Sequence, residues 1–158
     1  MDAGHKSFAI IAGPTDSYVS QQRVQGAVDR LMELGLEPSV VEGAFDYESG
    51  RAGLRELLGK CGSLDALICA NDLMAIGAID CARNEFGLEI PRDLSIVGFD
   101  GVAPASWASY QLSTVRQPVR RMTEAAVSMV LERIDDKTLS PEVRTFAGSL
   151  IEGSSARF

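Results

Sequence analysis

Short apolar runs alternate along this chain with stretches of helical periodicity. Phe8-Ala9-Ile10-Ile11-Ala12 is the first run and stops at Gly13-Pro14. A helix is predicted from about Ser20 to Leu36, with Val24, Ala27, Val28, Leu31 and Leu36 near helical spacing and Gly35 as its stop. Ser39-Val40-Val41 reads as a second strand halted by Gly43, and Glu48 to Leu58 as a second helix. Leu64 to Cys69 is a third strand. Asn71-Asp72 then opens a helix to about Phe86, because a short polar side chain ahead of an apolar period satisfies the free amides of a first turn. Gly87 closes it and Pro91 bars its resumption. Leu94 to Val97 is a fourth strand that runs out at Gly98-Phe99-Asp100.

An irregular stretch follows from Gly101 to Gln111, carrying Trp107 and Tyr110. Leu112 to Val115 is strand-like, and Pro118 suits the first turn of a further helix. That helix carries Met122, Ala125, Ala126, Met129, Val130 and Ile134 as one apolar stripe. A last extended piece is predicted from about Val143 to Ile151. Alternation of this kind predicts an α/β fold, with an open doubly wound parallel sheet between helices and right-handed crossovers. Strands apolar throughout are those whose two faces are both covered.

The chain has 158 residues, which suits one domain, or one large lobe with pieces of a second. Its net charge is −7, so it offers no basic face of the kind that neutralises phosphates, and direct nucleic-acid binding is not expected. Arg116, Arg120 and Arg121 form a short basic cluster, read as the solvated start of the last helix. Three cysteines, Cys61, Cys69 and Cys81, make no CxxC pair, so neither a disulfide framework nor a zinc site is indicated. Cys69 and Cys81 fall at apolar positions and read as small core residues of a cytoplasmic protein. Residues 1–6 read as a tail with no apolar signal core, and no run reaches membrane-spanning length.

In an open α/β sheet, ligands bind outside the carboxyl ends of the strands. Those ends carry Gly13-Pro14-Thr15-Asp16-Ser17, Gly43-Ala44-Phe45, Asn71-Asp72 and Asp100. Arg23, placed by the predicted boundaries in the first turn of the helix leaving the first strand, reaches the same edge. Asp100 can accept hydroxyl hydrogen bonds, Asn71 can donate and accept, Arg23 offers a fork of donors, and Phe45 can stack on a ring. Each has a plainer reading: Asn71 as a helix cap, Asp100 as a turn residue, Arg23 as an exposed helix charge, Phe45 as packing. Catalysis has little support. His5 is the sole histidine, no Ser-His-Asp or Cys-His set surrounds it, and the GxGxxG and GxxxxGK[ST] phosphate loops are absent. No cofactor and no metal site is expected.

Three stretches resemble the effector domain of LacI-type transcription regulators. They are Ala66 through Ala78, containing Ala70-Asn71-Asp72-Leu73-Met74-Ala75; Ile90 through Asp100, ending Val97-Gly98-Phe99-Asp100; and Leu112 through Pro118 with the helix bearing Met122. Gly13-Pro14 with Arg23-Val24-Gln25-Gly26 resembles an earlier segment of that family. The resemblance implies a periplasmic-binding-protein-like lobe, here residues 7–113 and 141–158, that closes with a first lobe around a small effector. Residues 114–140 would be the crossover segment that packs into the first lobe. It implies effector contacts from Arg23, Asn71 and Asp100, stacking by Phe45, Gln117 near the cleft, and a dimer surface at Trp107 and Tyr110. DNA would be reached only through a helix-turn-helix domain outside this chain. The expected ligand is sugar-like or nucleoside-like, with a carbohydrate favoured, and a homodimer is expected, which also would bury the stripe around Met122. A solute-binding lobe serving transport is the competing reading, because the fold is shared; a small α/β enzyme is a third.

Overall fold

A computed structural model describes residues 4–158. The elements are β1 (Phe8–Ala12), α1 (Tyr18–Glu33), β2 (Ser39–Glu42), α2 (Tyr47–Cys61), β3 (Ala66–Cys69), α3 (Asp72–Glu85), β4 (Ser95–Asp100), a 3₁₀ turn at Ala103–Ser106, β5 (Ser113–Arg116), α4 (Val119–Asp135) and β6 (Ser149–Ile151). The six strands form one sheet in the order β2-β1-β3-β4-β5-β6. The first five run parallel, as the alternation predicts, whereas β6 pairs antiparallel with β5, Thr114 opposite Ile151. The sheet is therefore mixed at one edge. With right-handed crossovers, this order places α1 on one face and α2 and α3 on the other.

The core follows from strands that are apolar on both faces. Ala9 and Ile11 of β1, Leu67 and Cys69 of β3 and Ile96 of β4 are buried in one cluster with Met74, Ala75, Ala78, Ile79, Cys81 and Ala82 of α3, while Ile10 is buried on the other face of β1. Cys69 and Cys81 are core residues, as their apolar setting predicts; burial pushes both thiols up from their ordinary range. Two glycines let α2 and α3 meet backbone to backbone. A Cβ on Gly50 would lie 2.1 Å from the Met74 carbonyl oxygen, and one on Gly77 2.0 Å from that of Tyr47.

Three boundaries depart from the sequence expectation. Helix α1 starts at Tyr18 rather than near Ser20, because the Ser17 hydroxyl caps it by accepting from the Ser20 amide. Arg23 consequently lies in the second turn, not the first. Arg116 ends β5 instead of opening a helix, while Arg120 pairs with Glu124 and Arg121 lies over the Phe146 ring. The extended piece from Val143 forms strand only at Ser149–Ile151.

Helix α4 has the predicted stripe but no buried residue. Val119, Met122, Val127, Val130, Leu131 and Ile134 are between 38% and 63% exposed, so its apolar surface has no covering element among the described residues. The tail residues behave differently from a loose end. Residues 1–3 lie outside the described region, but the Lys6 and Ser7 amides donate to Asp65, and His5 Nε2 lies 2.9 Å from Ser95 Oγ. Ser95 begins β4, so this tie sits at the sheet edge opposite the strand carboxyl ends. Burial holds the His5 imidazole below its ordinary pKa, and Arg157 adds to the effect.

Candidate functional site

The carboxyl ends of the parallel strands gather Gly13, Gly43, Ala70-Asn71, Asp100-Gly101 and Arg116-Gln117 along one edge. The connection from β1 leads to β2 on one side of it and the chain then returns to β3 on the other, which opens the switch-point crevice where such sheets take ligands. Arg23 reaches this crevice from α1. Its Nη1 donates to the Ala70 carbonyl at 2.7 Å and its Nη2 to Asp100 Oδ1 at 2.8 Å, with the guanidinium 4.1 Å from the Phe99 ring centroid. The side chains of Arg23 and Asp100 are 16% and 28% exposed. Gln117, just after β5, donates from Nε2 to the same Asp100 Oδ1 at 2.6 Å. Two side chains far apart in sequence, Arg23 and Gln117, thus meet on the Asp100 carboxylate.

Asp100 adopts φ +123°, a conformation that side-chain-bearing residues rarely take, and Gly101 follows at φ +72°. Such backbone strain persists where surroundings over-determine it, and it concentrates at binding sites. Here the determinant is Asp72, which in the sequence reads only as part of a helix start. Asp72 is fully buried at the first position of α3. It accepts from Thr114 Oγ1 at 2.6 Å and from the Val102 amide at 2.8 Å, and the Gly101 amide also donates to it. It therefore pins both the loop behind Asp100 and the strand leading to Gln117. Burial pushes its carboxyl above the usual range, against the lowering effect of those donors. A Cβ on Gly98 would fall 2.3 Å from Asp72 Oδ1, so a glycine there makes room for the carboxylate. The pairing of Gly98 with Asp72 carries no signal in the sequence, because it depends on how α3 packs against β4.

Asn71 and Phe45 are used internally as well. Asn71 Oδ1 accepts from the Met74 amide, which makes it the α3 cap, and its Nδ2 donates to the Phe45 carbonyl at 2.8 Å. Phe45 is held at φ +61°, half-buried, with its ring lying across Gly13, where a Cβ would meet Cζ at 2.2 Å. Asn71 is thus a positioning residue for the Phe45 turn in this state. Two residues on, Tyr47 donates its hydroxyl to Asp80 Oδ2 at 2.8 Å, and Tyr110 donates to the same oxygen at 3.0 Å. Burial and that hydrogen bond raise the Tyr47 phenol to about 12. The Tyr110 ring is half-buried and its hydroxyl committed, whereas Trp107 beside it is 58% exposed.

A family profile described as the periplasmic binding protein-like domain matches residues 1–156. The chain belongs to that family. Within the periplasmic binding protein-like family, its likeness is to LacI-type transcription regulators. It is 35% identical over 158 residues to a protein of Erwinia tasmaniensis named HTH-type transcriptional repressor PurR, covering 98% of this chain and 46% of that protein. It superposes on a transcriptional regulator CelR–cellobiose complex with TM-score 0.91 at 33% identity, covering 97% of this chain and 47% of the other. The lac repressor dimer bound to operator and the anti-inducer ONPF gives TM-score 0.89 at 27% identity, covering 97% and 53%. The chain spans about half the length of the relatives it matches.

Proposed function

We propose that this periplasmic binding protein-like chain is the effector-binding and dimerising part of a cytoplasmic LacI-type transcription regulator. The observation that carries the reading is the meeting of Arg23, Asp100 and Gln117 at the strand ends, with a strained Asp100 backbone held by buried Asp72. Residues 7–113 and 141–158 form the ligand lobe in this reading. Residues 114–140 cross to the first lobe, which the uncovered surface of α4 favours. The names of the relatives as repressors favour regulation over transport and over enzymatic turnover. The acidic balance assigns DNA contact to a different part of the regulator. A carbohydrate suits the edge, given acceptor oxygens beside an aromatic ring.

The effector acts by binding one arrangement of the lobes better than the other. In the full gene product, operator DNA selected from a random library is expected to bind with an affinity that shifts about 5- to 150-fold with ligand. Asp100→Ala is expected to keep operator binding and lose the ligand response. Equal ligand response in wild type and Asp100→Ala would refute the reading.

The dimer surface includes the exposed Trp107, and one of the structural relatives is itself described as a dimer. Exposed apolar surface of the extent seen on α4 also drives self-association. Sedimentation of this chain at micromolar concentration is expected to give a dimer, and a lone monomer boundary would contradict it.

A further inference from the structure

We infer that the chain carries a second small-molecule site, on the α3 side of the sheet, whose ligand is an amphipathic zwitterion of the α-amino acid class. The site is a cavity of about 330 Å³ between the loop that follows β4 and the last two strands. That volume falls in the small-ligand range of about 300–1,000 Å³. The cavity is separate from the strand-end cluster. Thr114 and Arg116 alternate with Val115 along β5, so they share a face, and Thr114 reaches Asp72 at the start of α3. Asp100, by contrast, is gripped by Arg23 from α1, on the other side.

The walls are apolar and held in place by backbone. Val102, Ala105, Leu112 and Ile151 supply them, with Ile151 directly opposite Thr114 in the β5–β6 pair. The Leu112 amide donates to the Ala105 carbonyl at 2.8 Å, and the Ser154 amide donates to the Gln111 carbonyl at 2.7 Å. The Val102 amide donates to Asp72 at 2.8 Å. A Cβ on Gly153 would fall 1.9 Å from the Gln111 carbonyl oxygen, so the chain after β6 lies directly against the loop. A cavity framed in this way is formed before a ligand arrives, which lowers the ordering cost of binding.

Two charged residues line this apolar cavity, Arg116 at the end of β5 and Glu152 just after β6. The Arg116 stem lies against Gly101, its Cγ 3.1 Å from where a Gly101 Cβ would be. Neither charge enters an ion pair among the described residues, with the other or with any third group. A guanidinium and a carboxylate left apart at one apolar cavity suit a ligand that brings both opposite charges. Its carboxylate answers Arg116, its ammonium answers Glu152, and its apolar body covers Leu112 and Ile151. A neutral sugar would answer neither charge and would set hydroxyls against apolar walls. Gly101 follows Asp100 and Arg116 precedes Gln117, so the two sites share the same two stretches of backbone.

Titration of the isotope-labelled chain, followed through its backbone amide resonances, tests the inference. The probes are L-leucine with its deaminated and decarboxylated analogues, isocaproate and isoamylamine, and L-phenylalanine with hydrocinnamate and phenethylamine. At least one of the two amino acids is expected to bind, to shift the amides of Gly101, Val102 and Gly153, and to bind about tenfold more tightly than either of its single-charge analogues. Arg116→Gln, confirmed as folded by circular dichroism, is expected to abolish the advantage of the amino acid over the amine. Glu152→Gln is expected to abolish its advantage over the carboxylate. No shift with either amino acid at tens of millimolar overturns the inference. So does a single-charge analogue that binds wild type as tightly as its amino acid, an Arg116→Gln variant that binds as wild type does, or a set of shifts confined to Ala70, Asn71 and Asp100.

Discussion

Gly77→Ala is expected to destabilise the protein by about 3 kcal/mol, lowering its melting temperature by roughly 6–12 °C. The direction is opposite to what helix propensity alone gives. Alanine in place of glycine inside a helix normally gains up to about 1 kcal/mol. At Gly77 that gain is overwhelmed, because the added methyl would sit 2.0 Å from the Tyr47 carbonyl oxygen, and backbone cannot swing aside as a flexible side chain does. Gly50→Ala meets the Met74 carbonyl at 2.1 Å and is expected to behave alike. Gly26 of α1 and Gly59 of α2 have nothing within 4 Å of their Cβ positions, so their alanine variants are expected to be neutral or stabilised. Thermal unfolding of the four variants checks the contrast. Equal effects at all four sites would mean that α2 and α3 do not cross at this close approach. The crossing matters for the site because it seats Tyr47, and through it the Phe45 turn, against α3.

Asp72→Ala is expected to cost about 3 kcal/mol at neutral pH. It leaves the Thr114 hydroxyl and the Gly101 and Val102 amides without their acceptor, in a place water reaches poorly. The dependence on pH has a definite sign. Burial in the folded state raises the Asp72 pKa above the ordinary carboxyl value of 3.8, so the folded protein takes up this proton first. The stabilisation linked to that proton is full below 3.8 and is lost as pH rises through the folded-state value. Wild type should therefore gain stability relative to Asp72→Ala on acidification toward that window. Denaturant midpoints at neutral and mildly acid pH measure the difference, and a gap that shrinks on acidification would contradict the assignment. Because Asp72 pins the loop behind Asp100, the variant should also weaken ligand binding while Arg23 remains intact.

The strands and helices were largely legible because burial on both faces writes continuous apolar runs, and Gly13, Gly43 and Gly87 punctuate them. The start of α1 was less legible because Thr15, Asp16 and Ser17 are all plausible caps, and only the hydrogen bond from the Ser20 amide selects Ser17. The direction of β6 was not legible at all: Ser149-Leu150-Ile151 is short and largely exposed, so its pattern carries extension but not partner or sense. Chain topology placed Arg23, Phe45, Asn71 and Asp100 along one edge, and the family resemblance added Gln117. Their division of labour was hidden, because it depends on contacts such as Arg23 to Asp100, 77 residues apart. Asp72 was hidden for a related reason. An acidic residue beside an asparagine cap reads as first-turn charge, and only the β4 and β5 neighbours reveal a buried acceptor.

The measurement that bears most directly on the central claim is thermal unfolding of this chain against millimolar sugars and nucleosides, run in parallel on Asp100→Ala. Ligand at about a hundred times its dissociation constant stabilises by roughly 2.7 kcal/mol, a clear rise in melting temperature. The account predicts such a rise with a sugar-like or nucleoside-like ligand and its loss in Asp100→Ala. A ligand that stabilises wild type and Asp100→Ala equally would place binding away from the strand ends and contradict it.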